Sequence, residues 1–262
     1  MIERTFISGA TGGIGKAFVY ECAKKGYHLF LTGRSKEKLE DLRKEVQKTY
    51  PIEIDFFACD LTVEEQRSDM LLYAKGKGYL FNRIINVAGV DIQKPFCEYT
   101  REKLLFQLRV NFESTVDLTY SFLKLRAKEV EIITIASMSG ATPMPYFALY
   151  SATKSALVSL FTSLREEYKR EKVKITTVLP GGVPTREDII LDIEKQGLWG
   201  NLSKKSPQFI ARKSLKAVKR NKRKYIPGVF NKFLYFTLKI IPESLAIKFI
   251  ARRWKKIRKD AF

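Results

Sequence analysis

Residues 8–17 read SGATGGIGKA and follow directly on a strand-like run. Gly9, Gly13 and Gly15 give the spacing G-x-x-x-G-x-G, and residues 13–25 have a helical pattern. Glycines allow the backbone to turn tightly and to approach a pyrophosphate, and the N-terminal end of the following helix carries a positive partial charge. The stretch therefore predicts a strand, a turn and a helix that hold a diphosphate, although an ordinary tight turn gives the same spacing.

The rest of the chain repeats this order of strand and helix. Short apolar runs alternate with longer amphipathic segments, which is typical of βαβ units and a parallel sheet with helices on both faces. The predicted strands are RTFISG (4–9), HLFLTG (28–33), IEIDFFACD (52–60), NRIINVAG (82–89), EVEIITIASMSG (129–140) and VKITTVLPGG (173–182). We expect an α/β fold, a Rossmann-like doubly wound parallel sheet of about seven strands, whose ligands bind beyond the carboxyl ends of the strands.

Charge divides the 262-residue chain into two parts. The formal net charge is +20, and residues 203–262 carry 19 Lys and Arg against Glu243 and Asp260, a balance of +17. Residues 1–202 are therefore close to neutral, at +3. We predict a nucleotide-binding catalytic domain over 1–202 and a basic helical extension over 203–262 that packs on the domain, on a membrane or on both.

Composition argues against several classes of protein. Cys22, Cys59 and Cys97 are scattered without paired spacing, and the single histidine, His28, has no candidate partners, so neither a disulfide framework nor a metal site is predicted. No segment has the roughly 18 to 20 uninterrupted apolar residues that a bilayer span needs. The start of the chain enters a strand at once, which leaves no room for a secretory signal. We expect a cytoplasmic protein.

The second and third predicted strands end in residues that suit a phosphorylated dinucleotide. A site for NAD usually has an acidic residue after the second strand, whereas this chain has Arg34 and Ser35. A guanidinium can bind a 2′-phosphate through two hydrogen bonds, so the sequence favours NADP(H); the alternative is that Arg34 is a solvated loop charge. Asp60 and Leu61 follow the third strand, where an adenine can lie. A further small-residue turn follows the fourth strand and contains Asn86, Ala88 and Gly89.

Tyr150 and Lys154 begin and end the stretch YSATK (150–154) and lie one helical turn apart on the same face. Taken alone, the two residues are as readily a chance pair as a catalytic one. Ser137 lies 13 residues upstream of Tyr150, and the three together make chance a poor explanation.

The order of these motifs resembles that of the short-chain dehydrogenase/reductase family, from about residue 4 to Thr185. The matching motifs are SGATGGIG, CDLT, NVAG, Asn111 in RVNFES, Ser137 in IASMSG, YSATK and PGGVPT. Two departures are mild, because they leave the glycines and the catalytic positions intact. Ser8 stands where threonine is commoner, and Val87 stands at the second place of the family's Asn-Asn-Ala-Gly.

The resemblance implies an oxidoreductase with a catalytic tetrad of Asn111, Ser137, Tyr150 and Lys154. Tyr150 then donates a proton to the substrate oxygen, and the positive charge of Lys154 favours the phenolate of a group whose pKa is ordinarily about 10. Lys154 also holds the nicotinamide ribose, Ser137 orients the carbonyl, and Asn111 anchors a water. The implied NADP(H) contacts further include Gly9, Thr11, Gly13, Ile14, Gly15, Pro180, Gly181, Val183 and Thr185, together with Tyr150 and Lys154. A homo-oligomer is common in the family.

Residues 186–202 follow the Pro-Gly segment and, by the same resemblance, cover the substrate. Their apolar members, with Tyr146 and Phe147 upstream, suit the wall of a pocket for a hydrophobic ketone. We expect Tyr146, Ile190 and Trp199 to contact the substrate. The alternative is that these residues only close the core.

The extension mixes aromatic and aliphatic residues with lysines, and ends in a basic cluster around Trp254. This pattern suits a helix in a membrane interface, whose lysines reach the head groups and gain about 1 kcal/mol each near an anionic leaflet. Packing on the domain or on a second subunit is the alternative, and nucleic-acid binding is disfavoured because no recognition motif accompanies the charges. The extension is also similar, in pattern only, to those of membrane-associated short-chain reductases of lipids, including 3-ketoacyl-CoA reductases.

The sequence thus predicts an NADPH-dependent carbonyl reductase, peripheral at the cytoplasmic membrane face, that acts on a lipophilic ketone such as a 3-oxoacyl lipid. A hydroxysteroid or another hydrophobic alcohol is the second substrate class. A protein that senses NADP(H) without turnover is the alternative function.

Overall fold

Seven parallel strands form one sheet in the computed structural model, which describes residues 3–195 and 197–255. The strands are β1 Glu3–Ile7, β2 Leu29–Gly33, β3 Ile54–Ala58, β4 Leu80–Asn86, β5 Arg126–Ile135, β6 Val173–Val178 and β7 Lys224–Tyr225. Their order is β3-β2-β1-β4-β5-β6-β7, so the direction of winding reverses between β1 and β4. A crevice for a ligand opens at such a reversal, beyond the carboxyl ends of the strands. The predicted doubly wound sheet is confirmed.

Helices cover both faces of the sheet. They are α1 Gly13–Ala23, α2 Lys36–Gln47, α3 Glu64–Gly76, α4 Arg101–Leu108, α5 Ser114–Lys124, α6 Ala148–Glu167, α7 Glu187–Lys195, α8 Gly197–Ser203, α9 Pro207–Lys219, α10 Val229–Ile240 and α11 Glu243–Trp254. A π-helical turn, Arg109–Glu113, joins α4 to α5. None of the helices in residues 3–195 and 197–255 is long and apolar enough to span a membrane.

Successive residues of the central strands belong to opposite cores. Phe6 and Phe30 pack in the core beneath α3, α5 and α6, whereas Ile7 and Leu31 pack in the core beneath α1, α2 and α9, and all four side chains are fully buried. Side chains on a strand point alternately to its two faces, so a strand covered on both sides reads as a continuous apolar run. This is why the strands could be identified from short apolar stretches.

Residues 207–225 belong to the sheet and its helical layer. Ile210 and Val218 of α9 are fully buried in the core that α1 shares, and β7 pairs in parallel with β6 through Thr177 and Lys224. The structure therefore carries the packed domain past the boundary that the sequence analysis placed after residue 202. A two-residue strand among lysines and arginines has no apolar run that marks it in the sequence. In the described part of the chain, α10 and α11 follow the last strand.

Phe122 is at the centre of the aromatic core. Its ring centroid lies 4.0 Å from that of Phe6 and 4.6 Å from that of Phe81, and its side chain is fully buried. We expect Phe122→Ala to lower the free energy of unfolding by about 3–5 kcal/mol, because the lost transfer energy adds to that of the cavity left behind. Urea unfolding followed by circular dichroism measures this change. Leu72→Ala, at a residue 66% exposed on α3, is the control and should change stability by less than about 0.5 kcal/mol. An equal loss of the free energy of unfolding in the two variants would contradict this packing of Phe122.

Candidate active site

The carboxyl ends of β1, β4, β5 and β6 place the predicted site residues along one crevice. Each strand passes directly into a turn that carries a motif, so the spacing of the motifs in the sequence becomes proximity in the fold. The cavity at this edge is lined by Ile14, Gly89, Ser137, Tyr150, Lys154, Pro180, Gly181, Val183 and Thr185, among others. Ile14 comes from the start of α1, Tyr150 and Lys154 come from α6, and the others come from the segments after β4, β5 and β6.

The glycine-rich turn after β1 leaves room for a ligand at the start of α1. Gly9 has a positive φ of +62°, and a Cβ at Gly15 would lie 2.0 Å from the carbonyl oxygen of Gly9. Gly12 precedes α1, and no side-chain hydrogen bond caps the start of that helix. A Cβ at Gly13 would collide with Thr185, which shows how closely the segment after β6 approaches the turn. Uncapped amides at a positive helix end fit a diphosphate.

The turns after β2 and β3 lie at the other end of the crevice. Arg34 is exposed at the end of β2. The Ser35 hydroxyl accepts a hydrogen bond from the amide of Lys38 at 3.2 Å and so caps α2. Asp60 accepts two hydrogen bonds from Thr62, and Leu61 is buried. Ser35 and Asp60 thus shape their turns, and neither they nor Arg34 and Leu61 are among the residues that line the cavity.

The turn after β4 is fixed by buried polar groups. The Ser8 hydroxyl accepts hydrogen bonds from the amides of Val87 at 3.0 Å and Ala88 at 3.3 Å, which ties this turn to the first one. Asn86 is buried, and its amide nitrogen donates to the hydroxyls of Thr119 and Thr134. Ser8 and Asn86 therefore hold this turn in place, and Val87 and Gly89 line the cavity whereas Asn86 and Ala88 do not.

Three members of the predicted tetrad meet at the cavity wall. Tyr150 and Lys154 project from the first turns of α6, and the Lys154 Nζ lies 5.6 Å from the centroid of the Tyr150 ring. Lys154 is only 3% exposed, and its Nζ donates a hydrogen bond of 3.1 Å to the carbonyl oxygen of Ile135 at the end of β5. The Ser137 hydroxyl accepts a hydrogen bond from the amide of Ser139 at 3.1 Å and faces the same cavity.

Asn111 lies behind the cavity wall, in the π-helical turn. Its side chain is fully buried, accepts a hydrogen bond from the amide of Val90 at 2.7 Å and donates one to the carbonyl oxygen of Val90 at 2.8 Å. A Cβ at Gly89 would lie 3.2 Å from the Lys154 Nζ and 3.4 Å from the Asn111 Oδ1. Asn111 therefore clamps the backbone against which Lys154 packs. Local π-helical turns in longer helices are often found at functional sites.

Burial dominates the acid–base properties of the pair on α6. The pKa of Tyr150 is raised above its usual value, chiefly by burial and then by the negative charge of Asp91, while a hydrogen bond with Ser137 lowers it. The pKa of Lys154 is lowered to about 8 by burial, against the effect of Asp91, which raises it. The sequence analysis expected the ammonium to favour the phenolate. The net shift of the pKa of Tyr150 is upward because burial outweighs the other contributions, so the phenol is protonated at neutral pH.

Asp91 and Arg186 were not identified from the sequence. Asp91 follows the turn after β4 and accepts a hydrogen bond of 3.1 Å from Arg186, which begins the segment that leads into α7. Both residues line the cavity that holds Tyr150 and Lys154. The two residues are 95 positions apart in the chain, and no local pattern indicates that they meet.

The cavity has a volume of about 900 Å³ and is lined mainly by apolar side chains. Ile189 and Ile193 of α7 line it, four residues apart on one helical face, whereas Ile190 is 40% exposed and does not. The cavity is therefore lined by Ile189 and not by the expected Ile190, because one step along a helix rotates the side chain by about 100° around the axis. Tyr146 is not among the lining residues, and the side chain of Trp199 lies outside the described part of the structure.

The C-terminal helices complete the cavity, which the sequence analysis did not anticipate. From α10 and α11 the lining residues are Phe230, Leu234, Thr237, Leu238, Ile241, Pro242, Leu245, Ala246, Phe249, Ile250, Arg253 and Trp254. Phe147 stacks on Tyr150 with ring centroids 4.3 Å apart, and Trp254 lies on Phe147 with centroids 6.2 Å apart. A continuous aromatic contact thus joins the extension to the tyrosine.

Asp91→Asn should shift the pH dependence of the site. Removing the negative charge favours the neutral form of Lys154, so the pKa of about 8 falls. We expect the alkaline limb of the profile of kcat/KM for ketone reduction to move by roughly one pH unit to lower pH, since the lysine must be charged. Asp69→Asn, which removes an exposed carboxylate on α3, is the control and should leave the profile in place. Coincident profiles for Asp91→Asn and the unchanged protein would contradict a role for Asp91.

Comparisons of the sequence and the fold with known proteins agree on one protein family. The model of the short chain dehydrogenase family matches residues 3–190. The very-long-chain 3-oxoacyl-CoA reductase-A of Danio rerio is 32% identical over 191 residues, which cover 69% of this chain and 58% of that protein. The chain therefore aligns with little more than half of the length of this relative.

Two solved structures share the fold. A 7β-hydroxysteroid dehydrogenase has a TM-score of 0.83 at 22% identity, over 95% of this chain and 96% of that one. The L-sorbose reductase of Gluconobacter frateurii, complexed with NADPH and L-sorbose, has a TM-score of 0.77 at 19% identity, over 87% of this chain and 95% of that one. Since the family model matches most of the chain and the fold agrees, the chain belongs to the short-chain dehydrogenase/reductase family of oxidoreductases.

Proposed function

We propose that the chain is an NADPH-dependent reductase of a lipophilic ketone, with a 3-oxoacyl lipid as the favoured substrate class. One observation carries the proposal: the phenol of Tyr150, with Ser137 and Lys154 beside it, faces an apolar cavity of about 900 Å³. A proton donor in an apolar cavity of this size suits reduction of a carbonyl on a large hydrophobic molecule.

The chain's own residues support the binding of NADPH. The turn of Gly9 and Gly15 and the uncapped start of α1 suit its diphosphate, and exposed Arg34 suits its 2′-phosphate. The L-sorbose reductase with the same fold is complexed with NADPH. When bound, this cofactor supplies the hydride that reduces the ketone.

Tyr150 and Ser137 act on the substrate oxygen. The raised pKa of Tyr150 keeps the phenol protonated until negative charge develops on the oxygen, which then takes the proton. Ser137 orients the carbonyl by donating a hydrogen bond, and the positive charge of Lys154 stabilises the phenolate that remains. Lys154 keeps its place because Ile135 accepts its hydrogen bond. Asn111 fixes the turn against which Lys154 packs.

The lining of the cavity favours a long or bulky apolar substrate. Side chains of α7, α10 and α11 contribute isoleucine, leucine and phenylalanine, and the polar groups gather near Tyr150 and Asp91. A molecule with one carbonyl and an extended apolar part matches this distribution. The Danio rerio relative carries the name of a very-long-chain 3-oxoacyl-CoA reductase, which agrees with such a substrate. A panel of 3-oxoacyl, steroid and short-chain ketones identifies the class.

Tyr150→Phe should lower kcat for ketone reduction by about 10²- to 10⁴-fold, because the proton donor is removed while the ring remains. NADPH fluorescence titration should give a dissociation constant within about twofold of the original, since the phenol is not the main binding group. Tyr146→Phe removes a hydroxyl from a residue outside the cavity lining and serves as the control. Turnover by Tyr150→Phe at the original rate would end the assignment of Tyr150.

Arg34→Asp should raise KM for NADPH by roughly ten- to a hundredfold, the loss expected for charge-assisted hydrogen bonds to a phosphate, and should change KM for NADH little. Lys48→Asp, at the far end of α2, makes the same change of charge and controls for the overall electrostatic field. Steady-state kinetics with both coenzymes measure the ratio. If both KM values rise by the same factor, Arg34 does not select the phosphorylated coenzyme.

A further inference from the structure

The outer surface of α10 is as apolar as its inner surface. Val229, Phe233, Phe236 and Ile240 are between 61% and 83% exposed. At about 100° per residue they fall within about 60° of one another around the helix axis and form a single stripe. A helix that only closed a cavity would present polar side chains to water on this side.

The apolar stripe of α10 lies between the cavity and two lysines. Residues that line the cavity, such as Phe230 and Leu234, are on one side of the stripe. Around the helix axis they lie about 60–140° from the residues of the stripe. Lys232 and Lys239 are exposed on the other side. Going around the helix, the order is cavity, exposed apolar stripe and positive charge.

The same order occurs on α11. Leu245 and Phe249 are 57% and 60% exposed and lie one turn apart. Buried Ile250 follows them on one side, and exposed Lys248 and Arg252 follow on the other. Two helices separated by a proline therefore repeat one arrangement, which indicates that a common surface is presented to one partner.

The mouth of the cavity opens on this surface. Ile241, Leu245 and Phe249 line the cavity and are also 39%, 57% and 60% exposed, so they form its rim. We define the docking face as the exposed apolar residues of the two helices, namely Val229, Phe233, Phe236, Ile240, Ile241, Leu245 and Phe249. The rim is thus part of the docking face.

We propose that the docking face rests on an anionic lipid bilayer and that the cavity opens into the leaflet, so that an apolar ketone passes from the membrane to Tyr150 without crossing water. This inference rests on the proposed function for the identity of the substrate, but not for the docking itself.

The positive charges near the docking face favour a lipid surface over a second copy of the chain as the partner. Lys232, Lys239, Lys248, Arg252 and Lys255 are exposed on the same two helices or directly after α11. Glu243 is the sole acidic residue of α10 and α11. Two copies facing each other here would bring like charges together, whereas phosphate head groups would neutralise them and the apolar stripe would enter the acyl boundary.

Vesicle sedimentation tests the docking. The full chain should bind phosphatidylglycerol vesicles, and should bind phosphatidylcholine vesicles at least tenfold more weakly, with binding that weakens as salt is added. Phe233→Ser with Phe236→Ser should weaken binding at least tenfold. Leu72→Ser with Tyr120→Ser is the matched control, since those side chains are exposed to 66% and 62% on α3 and α5, and it should bind as before.

Vesicle sedimentation also tests the contribution of the positive charges to binding. Lys232→Gln with Lys239→Gln should weaken binding to the anionic vesicles about tenfold or more, and Lys36→Gln with Lys48→Gln on α2 is the control. The proposal is overturned if the full chain does not bind vesicles and ultracentrifugation shows that the Phe233 and Phe236 changes convert a dimer to a monomer. The docking face is then a subunit interface.

A fluorophore at the rim tests the opening. Cys22 and Cys59 are buried and Cys97 is exposed, so Leu245→Cys in a Cys97→Ser background offers one accessible thiol. An environment-sensitive fluorophore there should shift to the blue when anionic vesicles are added, and the same fluorophore at Leu72→Cys should not. An unchanged spectrum at the rim, with vesicles bound, contradicts the opening into the leaflet.

Measurements of ketone turnover distinguish a failure of this proposal from a failure of the proposed function. The Phe233 and Phe236 double variant should reduce a long-chain ketone embedded in anionic vesicles at least tenfold more slowly, yet reduce a water-soluble short-chain ketone at the original rate. Neither residue lines the cavity. Equal losses on both ketones contradict entry from the leaflet. If the unchanged protein reduces neither ketone, the proposed function fails, while vesicle binding and the fluorophore still decide the docking and the opening.

Discussion

The hydrogen bond from the Lys154 Nζ to the carbonyl oxygen of Ile135 holds the candidate site together, because it joins the catalytic helix to the sheet. Ile135 is the last residue of β5, and Ser137 follows two residues later. The bond therefore fixes Tyr150, one turn before Lys154, relative to Ser137. It also satisfies an ammonium group that is almost completely buried, and an unpaired charge at such depth is costly. The lowered pKa of Lys154 shows that part of this cost remains.

The extension is coupled to this arrangement through aromatic contacts. Trp254 lies on Phe147, and Phe147 lies on Tyr150, so the end of α11 is in aromatic contact with the ring of the proposed proton donor. Ile250 packs in the same small cluster. Aromatic pairs of this kind add to the energy of burial and fix the orientation of the rings. The helices that present the docking face are thus the helices that enclose the substrate cavity, and their removal would open the site.

The fold and the positions of the candidate site residues were accessible from the sequence because both depend on local signals. Six strands contain short apolar runs, and several motifs follow a strand directly, as Ser137 follows β5. β7 could not be identified, since two residues among basic neighbours carry no periodicity. The choice between Ile189 and Ile190 depends on which face of α7 meets the cavity, and this is a tertiary property. Asp91 and Arg186 meet only through folding. The upward shift of the pKa of Tyr150 could not be predicted, because its main cause, burial, is not visible in a sequence.

The uneven distribution of charge has a physical explanation in this architecture. The first 202 residues carry a balance of only +3, so the positive charge of the chain is concentrated in residues 203–262. Exposed Lys232, Lys239, Lys248 and Arg252 lie on the far side of an exposed apolar stripe from the cavity, whereas Arg253 lines the cavity itself. Exposed apolar groups weaken solubility, and neighbouring positive charges keep such a face from associating with copies of itself. Under the proposed docking, the same charges would attract an anionic surface, so one pattern would both suppress self-association and favour a membrane. A substrate held in such a membrane would meet the rim of the cavity first, which would account for the order of cavity, apolar stripe and charge on both helices.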